Sequence, residues 1–137
     1  MTDEPTASPQ RTRGSDTQAA RRFAIEAARS LADDKCEDVA VLDVSGLSQV
    51  TDFIVIASGT SSRQMATALE HVGELGATAG YPVFGSSVDQ GSLWLLSDFV
   101  DVIVHVFEPN TRAYYDLEML WGDAPRIPWE RATRQAD

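Results

Sequence analysis

The sequence predicts a single α/β domain, a mixed sheet of about five strands packed with helices. Three observations carry this. Short apolar runs at Val39 to Val44, Phe53 to Ser58 and Val100 to Phe107 have the length and the β-branched content of strands. Two longer stretches, Ser15 to Ala32 and Ser62 to Ala79, repeat apolar residues at helical spacing. The second of these lies between strands, where it can supply the crossover that parallel neighbours need.

In order, Met1 to Gly14 is rich in Pro, Ser, Thr and Arg with no hydrophobic period, and is expected as a disordered arm. Ser15 or Asp16 can cap the first helix. Its apolar stripe is Ala20, Phe23, Ala24, Ala27, Ala28 and Leu31. Asp33 to Asp38 ends it. After two strands joined by Ser45 to Asp52, Gly59-Thr60-Ser61-Ser62 leads into the second helix. Met65, Ala68, Leu69, Val72 and either Leu75 or Gly76 are expected to face the core. Gly80 stops this helix. Gly73 and Gly76 each weaken it by about 1 kcal/mol relative to alanine, a cost that close packing on the sheet would offset. Pro82 to Gly85 reads as a short edge strand, and Ser86 to Gly91 as a loop.

Ser92 to Phe107 is the stretch around which the chain is organised. It reads as two strands, Ser92 to Ser97 and Val100 to Phe107, with Asp98-Phe99 between them. The second is almost uninterruptedly apolar, so both of its faces are expected to be covered. A helix follows from Pro109 to Trp121, with Tyr114, Leu117, Leu120 and Trp121 on one side, closed by Gly122 and Pro125. The division is thus an arm at 1–14, a domain at 15–123 and a loose tail at 124–137.

The 137 residues carry a net charge of −10. From Val39 to Asp123 there are eleven acids against two bases, Arg63 and Arg112, a net of −9. Phosphate backbones repel such a surface, so no direct nucleic-acid contact is expected. A basic protein is its complement. No apolar run approaches the roughly 20 residues of a membrane span, and the N-terminus has neither the basic start nor the apolar core of a secretory signal. With one cysteine, Cys36, the chain fits a reducing cytoplasm. The acids around Cys36 raise a thiol pKa, which argues against a reactive nucleophile.

Gly59 to Arg63 follows a strand and opens a helix, a setting that attracts anions. It lacks the Gly-Lys-Ser/Thr of a phosphate loop, and a serine-capped turn accounts for it. Asp98 and Asp101 are spaced by three, which sends them to opposite faces of a strand unless the turn redirects one. With no His/Cys cluster, neither a metal nor a cofactor is expected. His105 reads as a satisfied core histidine. Trp94 is core if the sheet is covered on both faces, and an exposed aromatic anchor if one end is open.

Three blocks resemble one family. D-F-I-V-I-A-S-G-T-S-S-R (Asp52 to Arg63), W-L-L-S-D-F-V-D-V-I-V-H-V-F (Trp94 to Phe107) and Y-Y-D-L-E-M-L-W-G-D-A (Tyr114 to Ala124) are similar to the ribosomal silencing factors, also called RsfS or Iojap. The resemblance implies a nucleotidyltransferase-like fold without known enzymatic activity. It also implies binding to ribosomal protein number fourteen of the large (50S) subunit, which blocks joining of the small subunit and represses translation. Carried over, Trp94, Asp98, Phe99 and Asp101 fall in the partner-binding block, and Ser61 and Arg63 in the second block. Phe99 stands where a tyrosine is usual, Val100 replaces a glycine of many members, and Ser86 to Gly91 lacks the usual Glu-Gly pair. A homodimer of the free protein is left open.

Two alternatives remain. A phosphoryl-transfer enzyme would need Asp43, Asp98 and Asp101 converging on a metal. A self-associating adaptor would use an exposed sheet edge or the last helix.

Overall fold

The computed structural model describes residues 10–87 and 93–132. The elements are α1 (Thr17–Asp33), β1 (Glu37–Asp43), β2 (Phe53–Ser58), α2 (Ser62–Ala79), β3 (Gly85–Ser87), β4 (Trp94–Asp98), β5 (Val102–Phe107), α3 (Pro109–Tyr115) and α4 (Leu117–Leu120). They form one α/β domain around a five-stranded sheet in the order β1-β2-β5-β4-β3. β2 and β5 run parallel, and the other neighbours are antiparallel.

The most apolar strand, β5, is the central one. Its side chains alternate between two layers. Val102, Val104 and Val106 join the larger core with Val55, Leu95 and the buried stripes of α1 and α2. Phe107 faces the other side, with Leu42, Val44, Ile54 and Ile56. Each such fully buried side chain contributes on the order of 1.5–3 kcal/mol.

α1 starts at Asp16, whose carboxylate accepts from the Ala19 amide at 2.9 Å. α2 starts at Ser61, whose hydroxyl accepts from the Gln64 amide at 3.0 Å, and ends at Gly80 with φ 89°. The choice between Leu75 and Gly76 falls to Gly76. It is buried, while Leu75 is exposed. A Cβ at Gly76 would lie 2.3 Å from the Tyr81 carbonyl oxygen and 2.9 Å from Phe99. Gly73 carries no such demand, since a Cβ there would meet only Val83 at 3.6 Å.

Several expectations are corrected. The single helix from Pro109 to Trp121 is two, because Asp116 adopts φ 46° and breaks it. The short strand expected at Pro82 to Gly85 lies at Gly85–Ser87 instead, since its partners are Leu96 to Asp98. Of the loop expected at Ser86 to Gly91, Ser86 and Ser87 belong to β3 and the rest lies outside the described residues. β4 includes Asp98, so the turn is Phe99-Val100-Asp101.

The tail is not loose where it is described. The Asp43 amide donates to the Pro125 carbonyl at 2.9 Å, and the Ile127 amide to the Val41 carbonyl at 2.8 Å. The Trp129 indole donates to the Val39 carbonyl at 3.0 Å. An edge strand carries unpaired backbone groups, and 125–129 satisfy those of β1. At the other end, residues 11–14 lie against the domain through Arg11, Arg13 and Gly14.

Candidate functional site: an aromatic and acidic face

The two sides of the sheet are covered unequally. α1 and α2 close one side. On the other, Leu117, Trp121 and Ala124 pack over the β1–β2 half. The β4 half of that side keeps Trp94, Leu96 and Asp98 only half-buried. Strand alternation puts these three on one face, with Trp94 and Asp98 about 13 Å apart.

Trp94 is packed yet accessible. It stacks on Phe107 at 4.8 Å between centroids, and meets Tyr115 at 4.9 Å and His105 at 5.9 Å. Its indole N–H donates to His105 Nδ1 at 3.1 Å. Burial pushes the His105 imidazole down to about 4, so the ring is neutral at pH 7 and free to accept. His105 is thus the satisfied histidine expected.

Around Trp94 lies a depression of about 850 Å³, lined by Leu93, Glu108, Asn110, Thr111, Tyr114 and Tyr115. Leu93 is 52% exposed, Tyr114 81%, Met119 75% and Leu120 70%. Leu93 and Tyr114 border the same depression as Trp94 and leave apolar surface open beside it. The sequence had placed Tyr114 and Leu120 on the same side as Leu117 and Trp121. The break at Asp116 divides that set: Leu117 and Trp121 are half-buried, while Tyr114 and Leu120 are exposed. Arg112 holds this corner. It meets both carboxylate oxygens of Glu118 at 3.0 and 3.1 Å and donates to Ser58 Oγ at 2.9 Å. Its guanidinium holds the Glu118 carboxyl below its usual range.

The other candidate residues are placed differently. Asp98 ends β4 and pairs with Arg11. Asp101 is buried and accepts from the Gly14 amide at 2.9 Å. Phe99 is buried and packs edge-on against Phe23 at 5.0 Å. Ser61 and Arg63 open α2 on the opposite layer from Trp94; Ser61 is its cap, and Arg63 is exposed on the first turn. The face therefore carries Trp94 and, about 13 Å along the strand, Asp98; Asp101 is buried at the turn, and Phe99, Ser61 and Arg63 lie off the face.

The carboxylates have separate partners. Asp43 accepts from the Ser45 amide and hydroxyl at 3.0 and 2.6 Å. Among the described residues no group of three or more His, Cys, Asp and Glu side chains could hold a metal ion. Cys36 is buried, and its thiol is pushed up to about 11 by burial first and Asp34 second. His71 Nδ1 lies 2.6 Å from Asp34 Oδ2. Among the described residues no helix is long and apolar enough to cross a membrane.

Fold and surface together define a small α/β domain with an open aromatic face around Trp94. The family model described as "Ribosomal silencing factor during starvation" matches residues 17–137, and the chain belongs to that family. A ribosomal silencing factor of Halalkalibacterium halodurans is 36% identical over 104 residues, covering 76% of this chain and 89% of that relative. One from Bacillus subtilis is 37% identical over 99 residues, covering 72% and 84%. Both names are those of regulatory factors, not of enzymes. A crystal structure of a Chromobacterium violaceum protein superposes with a TM-score of 0.69 at 34% identity, covering 86% of this chain and 95% of that one.

Proposed function

We propose that this protein silences ribosomes in the cytoplasm by binding the large subunit through ribosomal protein number fourteen, and that it acts by occupancy rather than by chemistry. The observation that carries this is the open face of Leu93, Trp94, Tyr114 and Tyr115, with Asp98 farther along the same face of β4. An accessible aromatic anchor with charge at its rim is a common form of protein-binding hot spot. The excess of acids favours a basic protein over RNA as the partner. A domain of this length is roughly 30 Å across. Docked on the face where subunits meet, it would fill space that the small subunit needs. In the free protein the same apolar face is open to a second copy of the chain.

The test is subunit joining followed by light scattering. Added to separated subunits, the protein should inhibit joining in a dose-dependent way, and excess small subunit should relieve the inhibition, because occupancy and joining exclude each other. Equal affinity for joined ribosomes and free large subunits would refute the steric mechanism. Turnover of nucleoside triphosphates with magnesium or manganese, abolished by Asp98→Asn, would favour the phosphoryl-transfer alternative.

A further inference from the structure

The margin of the aromatic face is occupied by the chain itself. Arg11 grips Asp98 with two parallel bonds, Nε to Oδ2 at 2.8 Å and Nη2 to Oδ1 at 3.0 Å. The same guanidinium donates to the carbonyls of Val100 at 2.9 Å and Val50 at 2.6 Å. Arg13 pairs with Asp52. The Gly14 amide donates to both oxygens of Asp101, at 2.9 and 3.1 Å. Residues 11–14 thus form a strap across the β4–β5 turn. Gly14 permits the approach, since a Cβ there would sit 2.8 Å from Asp101 Oδ2.

We propose that this strap is an intramolecular competitor of the basic partner: it engages Asp98 and Asp101 in the free protein and must leave them when the partner docks. The proposal rests on the partner-binding reading above. A forked arginine uses both oxygens of a carboxylate in its plane, so a second arginine cannot take the same bidentate geometry while Arg11 remains. The Asp98 side chain is 20% exposed with the strap in place, which leaves little of it to an incoming cation. A typical partner covers about 800 Å² per side. An interface of that size centred on Trp94 extends to Asp98, about 13 Å along the strand. Binding then draws on the strap-free fraction alone, and the apparent affinity falls by that fraction.

The test compares full-length Arg11→Gln, Arg21→Gln, Trp94→Ala and wild type in co-sedimentation with purified large ribosomal subunits. Water can hydrate the partly exposed Asp98 once Arg11 is changed, so the fold is retained, as a thermal melt would verify. Arg21 is exposed on α1 and removes the same charge away from the strap. Arg11→Gln should bind about fivefold tighter than wild type, Arg21→Gln within about twofold of it, and Trp94→Ala at least tenfold weaker. If Arg11→Gln binds no tighter than wild type or than Arg21→Gln, while Trp94→Ala binds weakly, the strap proposal is overturned and the partner-binding face stands. If not even wild type sediments with the subunits, the partner reading fails and the strap has nothing to compete with.

Discussion

The Trp94 indole donates to His105 Nδ1 at 3.1 Å across a diagonal of the β4–β5 ladder, where Trp94 faces Phe107 and Leu96 faces His105. Diagonal neighbours of this kind are within reach of aromatic side chains. The bond holds the anchor of the open face in one orientation and requires a neutral imidazole.

That requirement makes stability depend on pH. The folded-state value of His105 is about 4, below the roughly 6.5 of an unfolded histidine. Between the two, the unfolded chain binds the extra proton. The contribution from burying the neutral ring is therefore complete above about 6.5 and lost as pH falls toward 4. From pH 7 to 5 it should amount to about 2 kcal/mol. Urea unfolding of wild type and His105→Gln at both pH values isolates it: the variant should lose about 2 kcal/mol less. Equal losses would mean that the imidazole is already protonated in the folded protein or does not sense burial.

Trp94→Ala should cost about 2 kcal/mol or more of binding to the large subunit. The domain should stay folded, because Trp94 lies at the edge of the second core. Association of the wild type should slow as salt rises, since its charge steers a basic partner. Circular dichroism with an affinity titration checks both; an unfolded variant would make Trp94 a core residue rather than an anchor.

Val100 adopts φ 74°, a left-handed conformation costly for a β-branched residue. Its amide donates to Asp98 Oδ1 at 2.7 Å, which holds the turn despite that cost. Val100→Gly should raise stability by about 1 kcal/mol, the relief of roughly 1–2 kcal/mol being partly offset by chain entropy. A higher melting temperature is the expected readout, and a lower one would mean that the valine side chain contributes more than its backbone costs.

The two glycines inside α2 should respond with opposite signs. Gly76→Ala forces a Cβ against the Tyr81 carbonyl and Phe99, and should cost about 1–3 kcal/mol. Gly73→Ala has room beside Val83 and should stabilise by up to about 1 kcal/mol. Paired thermal melts decide it.

Local pattern was enough for much of this molecule. The stripe from Ala20 to Leu31, the apolar run of β5 and the Ser61 cap act within a few residues of chain, so spacing and side-chain type determined them. The three sequence blocks likewise determined the family. Other features depend on contacts between segments far apart in sequence. Asp116 breaks the last helix where Arg112 can reach both Glu118 and Ser58, and on either side of that break Tyr114, beside Trp94, and Leu120 are exposed. The arm looked structureless because nothing in 11–14 is apolar; its contacts are to carboxylates 39 and 87 positions away. The tail at 125–129 docks because β1 is an edge strand, and strand order appears only when the whole sheet is assembled. Hydrophobic periodicity reports which face of an element is buried. It carries no information about ion pairs or backbone edges that a distant segment completes.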